Sequence, residues 1–291
     1  MGRVRIGCAM WANRDWIGAL YAADARPGQL LAPYSRVFGA VEGNTTFYGL
    51  PSAATVARWQ REAAPGFRFM FKLPRAITHE RRLRDAGSEL REFCERLAPL
   101  EPVRGPTSIQ LPASFGPDHL GELGRFLEVT PASWGWAVEV RHPAFFDGGP
   151  AERALNDLLY EHGADRVILD SRALFSAAPR NEVERVAHGA KPRLPVRPTA
   201  TGRQPVVRFI GHLDAEVSAA HWARWFPVVL RWLEQDRAPL LFFHTADNVE
   251  APSQALRFHR ELADASSGSV APPPAGAVQD GGPGAPTLDL R

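Results

Sequence analysis

The chain is short of the residues that mark secreted, metal-stapled or membrane proteins. It has only two cysteines, Cys8 in an apolar run and Cys94 in an amphipathic one. Their spacing matches no metal or disulfide pattern, so both read as reduced, buried thiols. No window approaches the roughly 18 uninterrupted apolar residues of a membrane span. The first apolar run is broken by Asn13, Arg14 and Asp15, so neither a signal peptide nor a membrane partner is expected. Excess charge is also lacking: the formal net charge is +2, which neither demands nor excludes a polyanionic partner. These absences point to a cytoplasmic globular protein. With 291 residues, 45% of them hydrophobic, the chain can bury the core of one large α/β domain.

Eight short apolar runs recur, at residues 4–9, 37–42, 67–73, 107–111, 136–141, 166–170, 206–210 and 240–244. Between most of them lie segments with helical spacing, such as 88–97, 119–127 and 151–162, and Ser52 caps a helix after the second run. Strands alternating with helices predict βα units in a parallel sheet. Eight units within residues 1–263 fit a single-domain (β/α)8 TIM barrel, with a doubly wound open sheet as the alternative. Pro227 either kinks one helix or starts a second. Residues 176–204, with six Lys/Arg against two Glu, read as a long functional loop after the sixth strand or as a solvated insertion. Residues 264–291 are rich in Pro, Gly, Ala and Ser and read as a disordered tail.

The fifth run, WAVEVRHPAFF at 136–146, breaks the rule that a covered parallel strand should be apolar. Val138 and Val140 take one face while Glu139 and Arg141 take the other. A carboxylate and a guanidinium there must be paired or in use. Aligning the strands by phase places Glu42, Lys72, Gln110, Arg141, Asp170, Arg208 and His244 at or near C-terminal strand ends, with Glu139 one layer deeper. In a barrel those ends converge on one mouth, where active sites are built. Three acids (Glu42, Glu139, Asp170) against three bases (Lys72, Arg141, Arg208) predict a charge-balanced pocket. The same six groups could instead form a buried structural network. The adjoining loops add Asn44, Thr45, Thr46, Phe47, Tyr48, Thr78, His79, His142 and His212, groups suited to holding a small polar ligand.

At these residues the sequence resembles the YecE-like family, also known as domain of unknown function 72. The resemblance rests on Ile6-Gly7 with Trp11 and Trp16, on VEGNTTFY at 41–48, on 67–72 with Thr78-His79, on Gln110-Leu111-Pro112 before Ser114-Phe115, and on EVRHP at 139–143. It spans about residues 4–262, implies a TIM barrel and implies no established reaction. Two segments depart from the family pattern, Cys8-Ala9-Met10 and 244–248, and both touch the expected mouth.

Three functions fit these residues. In the first, the protein is an enzyme acting on a small polar or phosphorylated molecule, with a hydrolase among the options. Glu42 or Glu139 is then general acid or base, Lys72, Arg141 and Arg208 hold an anion, and Asp170, Gln110 or His142 orient the reacting groups. Trp11, Asn44, Tyr48, His79, Arg208 and His244 complete the binding set, and Glu42 with Glu139 could form a glycosidase pair. The second function is nucleic-acid binding, in the manner of a metal-dependent endonuclease IV-like barrel, with the 176–204 segment on phosphates. Acids and histidines could hold a divalent metal, but Lys72, Arg141 and Arg208 would repel it, so no metal or cofactor is expected. The third is a non-catalytic ligand-binding protein.

Overall fold

Apolar alternation along short strands, each followed by an amphipathic helix, closes the chain into a barrel. The computed structural model describes residues 3–275. The strands are β1 (Arg5–Cys8), β2 (Ala40–Gly43), β3 (Arg68–Phe71), β4 (Thr107–Gln110), β5 (Trp136–Glu139), β6 (Asp165–Asp170), β7 (Val206–Ile210) and β8 (Leu240–His244). They pair in parallel in the order β3-β2-β1-β8-β7-β6-β5-β4. Isolated bridges from Phe69 to Arg104 and from Lys72 to Ser108 join the two ends, giving the nearly closed barrel expected rather than an open sheet. Around it lie α1 (Leu31–Val37), α2 (Ala53–Glu62), α3 (Gly87–Leu97), α4 (Leu120–Glu128), α5 (Pro150–Glu161), α6 (Glu182–Ala190), α7 (Ala215–Trp222), α8 (Phe226–Glu234) and α9 (Ala251–Ala265).

Local chemistry explains several of these boundaries. Ser52 Oγ accepts the Thr55 amide at 3.2 Å and caps α2. Pro227 sits in the first turn of α8, where its missing N–H costs nothing, so it starts a second helix instead of kinking one. The 176–204 segment contains α6, and Asn181 caps it through the Glu184 amide. The chain stays ordered beyond the expected tail boundary at 264: α9 runs to Ala265, and Val270 is buried against the core. Residues 276–291 of that tail lie outside the described residues.

Two hydrophobic layers result. The outer layer between strands and helices is the larger and holds aromatic stacks such as Trp59 on Phe69 and Phe71. The barrel interior is filled by apolar side chains, among them Ala40, Met70, Ala137, Val167, Val206 and Phe242. Strand alternation then puts the residue two positions further along on the same inner face. Those residues are Glu42, Lys72, Glu139, Leu169, Arg208 and His244, so the packed floor itself aims the polar ring. One contact shows how tightly this end is built. A Cβ on Gly7 would lie 1.8 Å from the Ala40 carbonyl oxygen. The Tyr34 hydroxyl bridges β1 and β2 beside it, accepting from the Cys8 amide at 2.7 Å and donating to Ala40 O at 3.1 Å.

Candidate functional site

Arg208 lies at the centre of the ring. From β7 its Nε and Nη2 donate to Glu42 on β2, and its Nη1 donates to Glu139 on β5 at 2.8 Å. Arg141 donates to the other Glu139 oxygen through Nε at 2.8 Å and lies 2.7 Å away through Nη2. Lys72 Nζ donates to Gln110 Oε1 at 2.9 Å. Glu42 and Glu139 are buried, and Arg208 is 5% exposed. A single guanidinium therefore bridges two carboxylates across the barrel, and Arg141 supplies the second positive charge, with geometry close enough to offset their desolvation.

These contacts set the protonation states. Burial alone would raise Glu42, but Arg208, then His244 and Lys72, hold it well below the usual carboxylate range. Glu139 faces the same burial and is brought down to about 2, chiefly by Arg208 and Arg141. Both carboxylates stay ionised at neutral pH. Burial brings Lys72 down to about 8, with Arg208 adding repulsion, and likewise lowers Lys191. Burial lowers His244 to about 4 against the pull of Glu42, so its ring is neutral at pH 7.

Because the folded-state value of Glu139 is depressed, its contribution to stability is full above about 4.3, the ordinary Glu value, and is lost as pH falls toward about 2. Glu139→Gln should therefore be less stable at pH 7 and flatten the acid limb between those values, as read by denaturant unfolding at a series of pH values. An acid limb identical to wild type would remove Glu139 from the network.

Above the clasp opens a cavity of about 450 Å³, lined by Asn44, Phe47, Tyr48, Lys72, Gln110, Arg141, Lys191, Arg208 and His244, among others. Lys191, just past α6, reaches the mouth, so the basic segment after β6 supplies a pocket residue. Tyr48 stands 83% exposed at the rim, edge-on to Phe47. Two buried polar atoms of the lining lack a partner: Asn44 Oδ1, whose Nδ2 donates to Ala9 O at 2.7 Å, and His244 Nε2, which lies 3.1 Å from Glu42 but out of line for a hydrogen bond. Such groups are what a polar ligand would satisfy.

The expected ring is changed in membership and in charge. Asp170 lies on the other face of β6, where it accepts from Arg172 at 2.9 and 2.8 Å and from Trp225 Nε1 at 2.8 Å. Leu169 takes the inner position instead. With Asp170 gone and Lys191 added, four cations face two carboxylates, so the mouth is cationic and not balanced. Trp11 is also absent from the cavity; it packs edge-on against Trp59 and Phe69 in the outer layer. His142 turns its Nδ1 to the Ala144 amide at 3.3 Å and caps a short helical turn. His79 sits at the edge, in a π turn (Ala76–Glu80), bonded to Thr78 and edge-on to Phe47. Elsewhere in the basic segment, Arg185 pairs with Glu182 at the surface and Arg193 lies over Phe175, so neither joins Lys191. Among the described residues, no group of three or more His, Cys, Asp or Glu is placed to hold a metal ion, and no helix is long and apolar enough to cross a membrane. A second cavity, about 570 Å³, opens at the N-terminal ends of β1 to β3, the face that serves stability in such barrels.

Sequence reasoning counted Lys191 only as a loop charge. The signal that could have placed it is compositional: the chain contains 32 arginines and two lysines, Lys72 and Lys191.

Parallel strands, interposed helices and a polar ring at the strand C-termini define a TIM-barrel protein with a cationic mouth. The chain belongs to the family described as "Protein of unknown function DUF72", which it matches over residues 5–277. It is 39% identical over 249 residues to UPF0759 protein YecE of Escherichia coli K12, covering 86% of this chain and 89% of that one. The YecE protein of Escherichia coli O157:H7 matches to the same extent. Among solved structures, a DUF72 family protein of Enterococcus faecalis V583 superposes with a TM-score of 0.67 at 18% identity, over 89% of this chain and 95% of that one. A second crystal structure of it gives a TM-score of 0.66. This likeness shows the shared fold.

Proposed function

We propose that the protein is an enzyme acting on a small anionic molecule, held at the barrel mouth by Lys72, Arg141 and Lys191. The observation that carries this reading is the imbalance of the ring. Arg208 and Arg141 pair with Glu42 and Glu139, while Lys72 and Lys191 line the cavity with no carboxylate in salt-bridge contact among the described residues, and Arg141 keeps Nη1 outside its pair. A concave site with unspent positive charge favours a carboxylate or a phosphate.

The chemistry shifts with it. Glu42 and Glu139 are held ionised well below neutrality, which suits neither a glycosidase acid nor an effective base. Lys72, at about 8, lies near working pH and is the better proton carrier. An endonuclease-like metal mechanism draws no support from the ring, since its third acid, Asp170, faces away. A non-catalytic binding protein would use the same cavity and differ only in lacking turnover.

Calorimetric titration with sulfate, inorganic phosphate and pyruvate tests the reading. Saturable one-site binding is expected, weakened roughly 10-fold or more in Arg141→Ala, in line with a charge-assisted hydrogen bond. Absence of binding by all three anions to the wild type would sink it.

A further inference from the structure

The two lysines of this chain line one cavity. Everywhere else the chain meets its need for positive charge with arginine, 32 times, and arginine serves wherever only a permanent cation or a forked donor is required. What lysine adds is a primary amine that can lose its proton and become a nucleophile. The chain keeps lysine only at positions 72 and 191 and folds both into the mouth.

From this juxtaposition we propose that Lys72 is a carbonyl-reactive amine, forming an imine with a small aldehyde or ketone that also carries a carboxylate or phosphate. The proposal rests on the anion-binding reading above and names its substrate class. Lys72 follows directly on β3, is 7% exposed and is held by Gln110 at 2.9 Å, so its nitrogen is fixed while facing the cavity. Burial is the main reason a positive charge is disfavoured there; Arg208 and Arg141 add repulsion, and Glu42 and Glu139 oppose it. Desolvation beside other cations is one of the two ways in which proteins activate a lysine for this chemistry. With a value of about 8, roughly one molecule in ten carries the neutral amine at pH 7. Arg141 and Lys191 then hold the anionic end, and Asn44 Oδ1 is an unmet acceptor for a substrate hydroxyl.

The step balances without a further reactant. Neutral Lys72 Nζ adds to the carbonyl carbon, and the oxygen takes up the proton lost from nitrogen to give a carbinolamine. The carbinolamine hydroxyl takes a second proton and leaves as water as the nitrogen lone pair forms the C=N bond. In sum, the ammonium and the carbonyl give a protonated imine and one water. Lys191, the other amine lining the cavity, is the candidate to relay it.

Reductive trapping tests this directly. The full-length protein is incubated with pyruvate or with dihydroxyacetone phosphate, then with cyanoborohydride, and analysed by intact mass and peptide mapping. One addition, equal in mass to the oxo compound less one oxygen, is expected at Lys72. Labelling by pyruvate alone assigns a carboxylate handle, and labelling by the phosphate ester alone a phosphate. Lys72→Arg should lose the adduct, and Lys191→Arg should keep it at a lower rate. No adduct with either compound, or labelling no greater at Lys72 than at the N-terminal amine, overturns the proposal. If sulfate or phosphate still binds in that case, the imine alone is rejected and the anion site stands; if none binds, both fall.

Discussion

Replacing Arg208 by Met is expected to destabilise the protein by about 3–5 kcal/mol, the range for breaking a buried ion pair from one side. For a domain of this size that corresponds to a fall in Tm of roughly 6–20 °C. The effect is large because one substitution strands two carboxylates. Glu42 and Glu139 are 0% and 1% exposed, and Arg208 supplies three hydrogen bonds to them. Arg141 would still pair with Glu139. Glu42 would retain His244 at 3.1 Å and the attraction of Lys72, both weaker than the lost guanidinium, so its carboxyl would move upward and take up a proton on folding. Stability should then fall as pH rises, a sign opposite to that of the wild-type clasp. Replacing Glu42, Glu139 and Arg208 together by leucine should recover much of the loss, because apolar side chains of similar volume often match a buried ion network. A Tm in Arg208→Met equal to wild type would mean that the three groups are solvated and no clasp exists.

The second large effect is functional. Lys72→Met should weaken sulfate or phosphate binding by roughly 10- to 150-fold, the loss of a hydrogen bond to a charged group worth about 1.5–3 kcal/mol. Met keeps the volume of the stem and leaves only Gln110 Oε1 without its partner, so folding should be little affected. Lys72→Arg distinguishes charge from amine: it should retain most of the anion affinity while losing any activity that needs proton transfer at Lys72. Equal affinity in all three proteins would move the binding site away from β3.

Much of this architecture was legible in the amino-acid order. The eight apolar runs became eight strands, and the odd polar residues within them, Glu42, Lys72, Gln110, Glu139 and Arg208, became one ring, because period-two alternation is obeyed wherever one face must be apolar. Asp170 escaped for the same reason. In β6 both faces are buried and each carries charge at the strand ends around the apolar Val167-Ile168-Leu169, so the sequence does not reveal which parity points inward. The register with β7, which sets Leu169 against Arg208, decides it, and register is a property of the neighbouring strand. Trp11 was misplaced because an aromatic beside a strand end serves an outer stack as readily as a mouth. His142 looked chemical and is a cap. The position of Lys191 depends on how a long segment folds back through α6, which no local pattern encodes, although the scarcity of lysine pointed to it.

The central claim is that a cationic mouth governed by Lys72 binds an anion, and the most direct test is the affinity of the wild-type protein for sulfate as a function of pH. Sulfate keeps its charge across the neutral and alkaline range, so the dependence reports the protein. Affinity should be flat below the Lys72 value of about 8 and fall above it by up to about tenfold per pH unit as the ammonium loses its proton. The slope should be much reduced in Lys72→Arg. Binding that stays constant through pH 9.5, or no binding at any pH, would contradict the account.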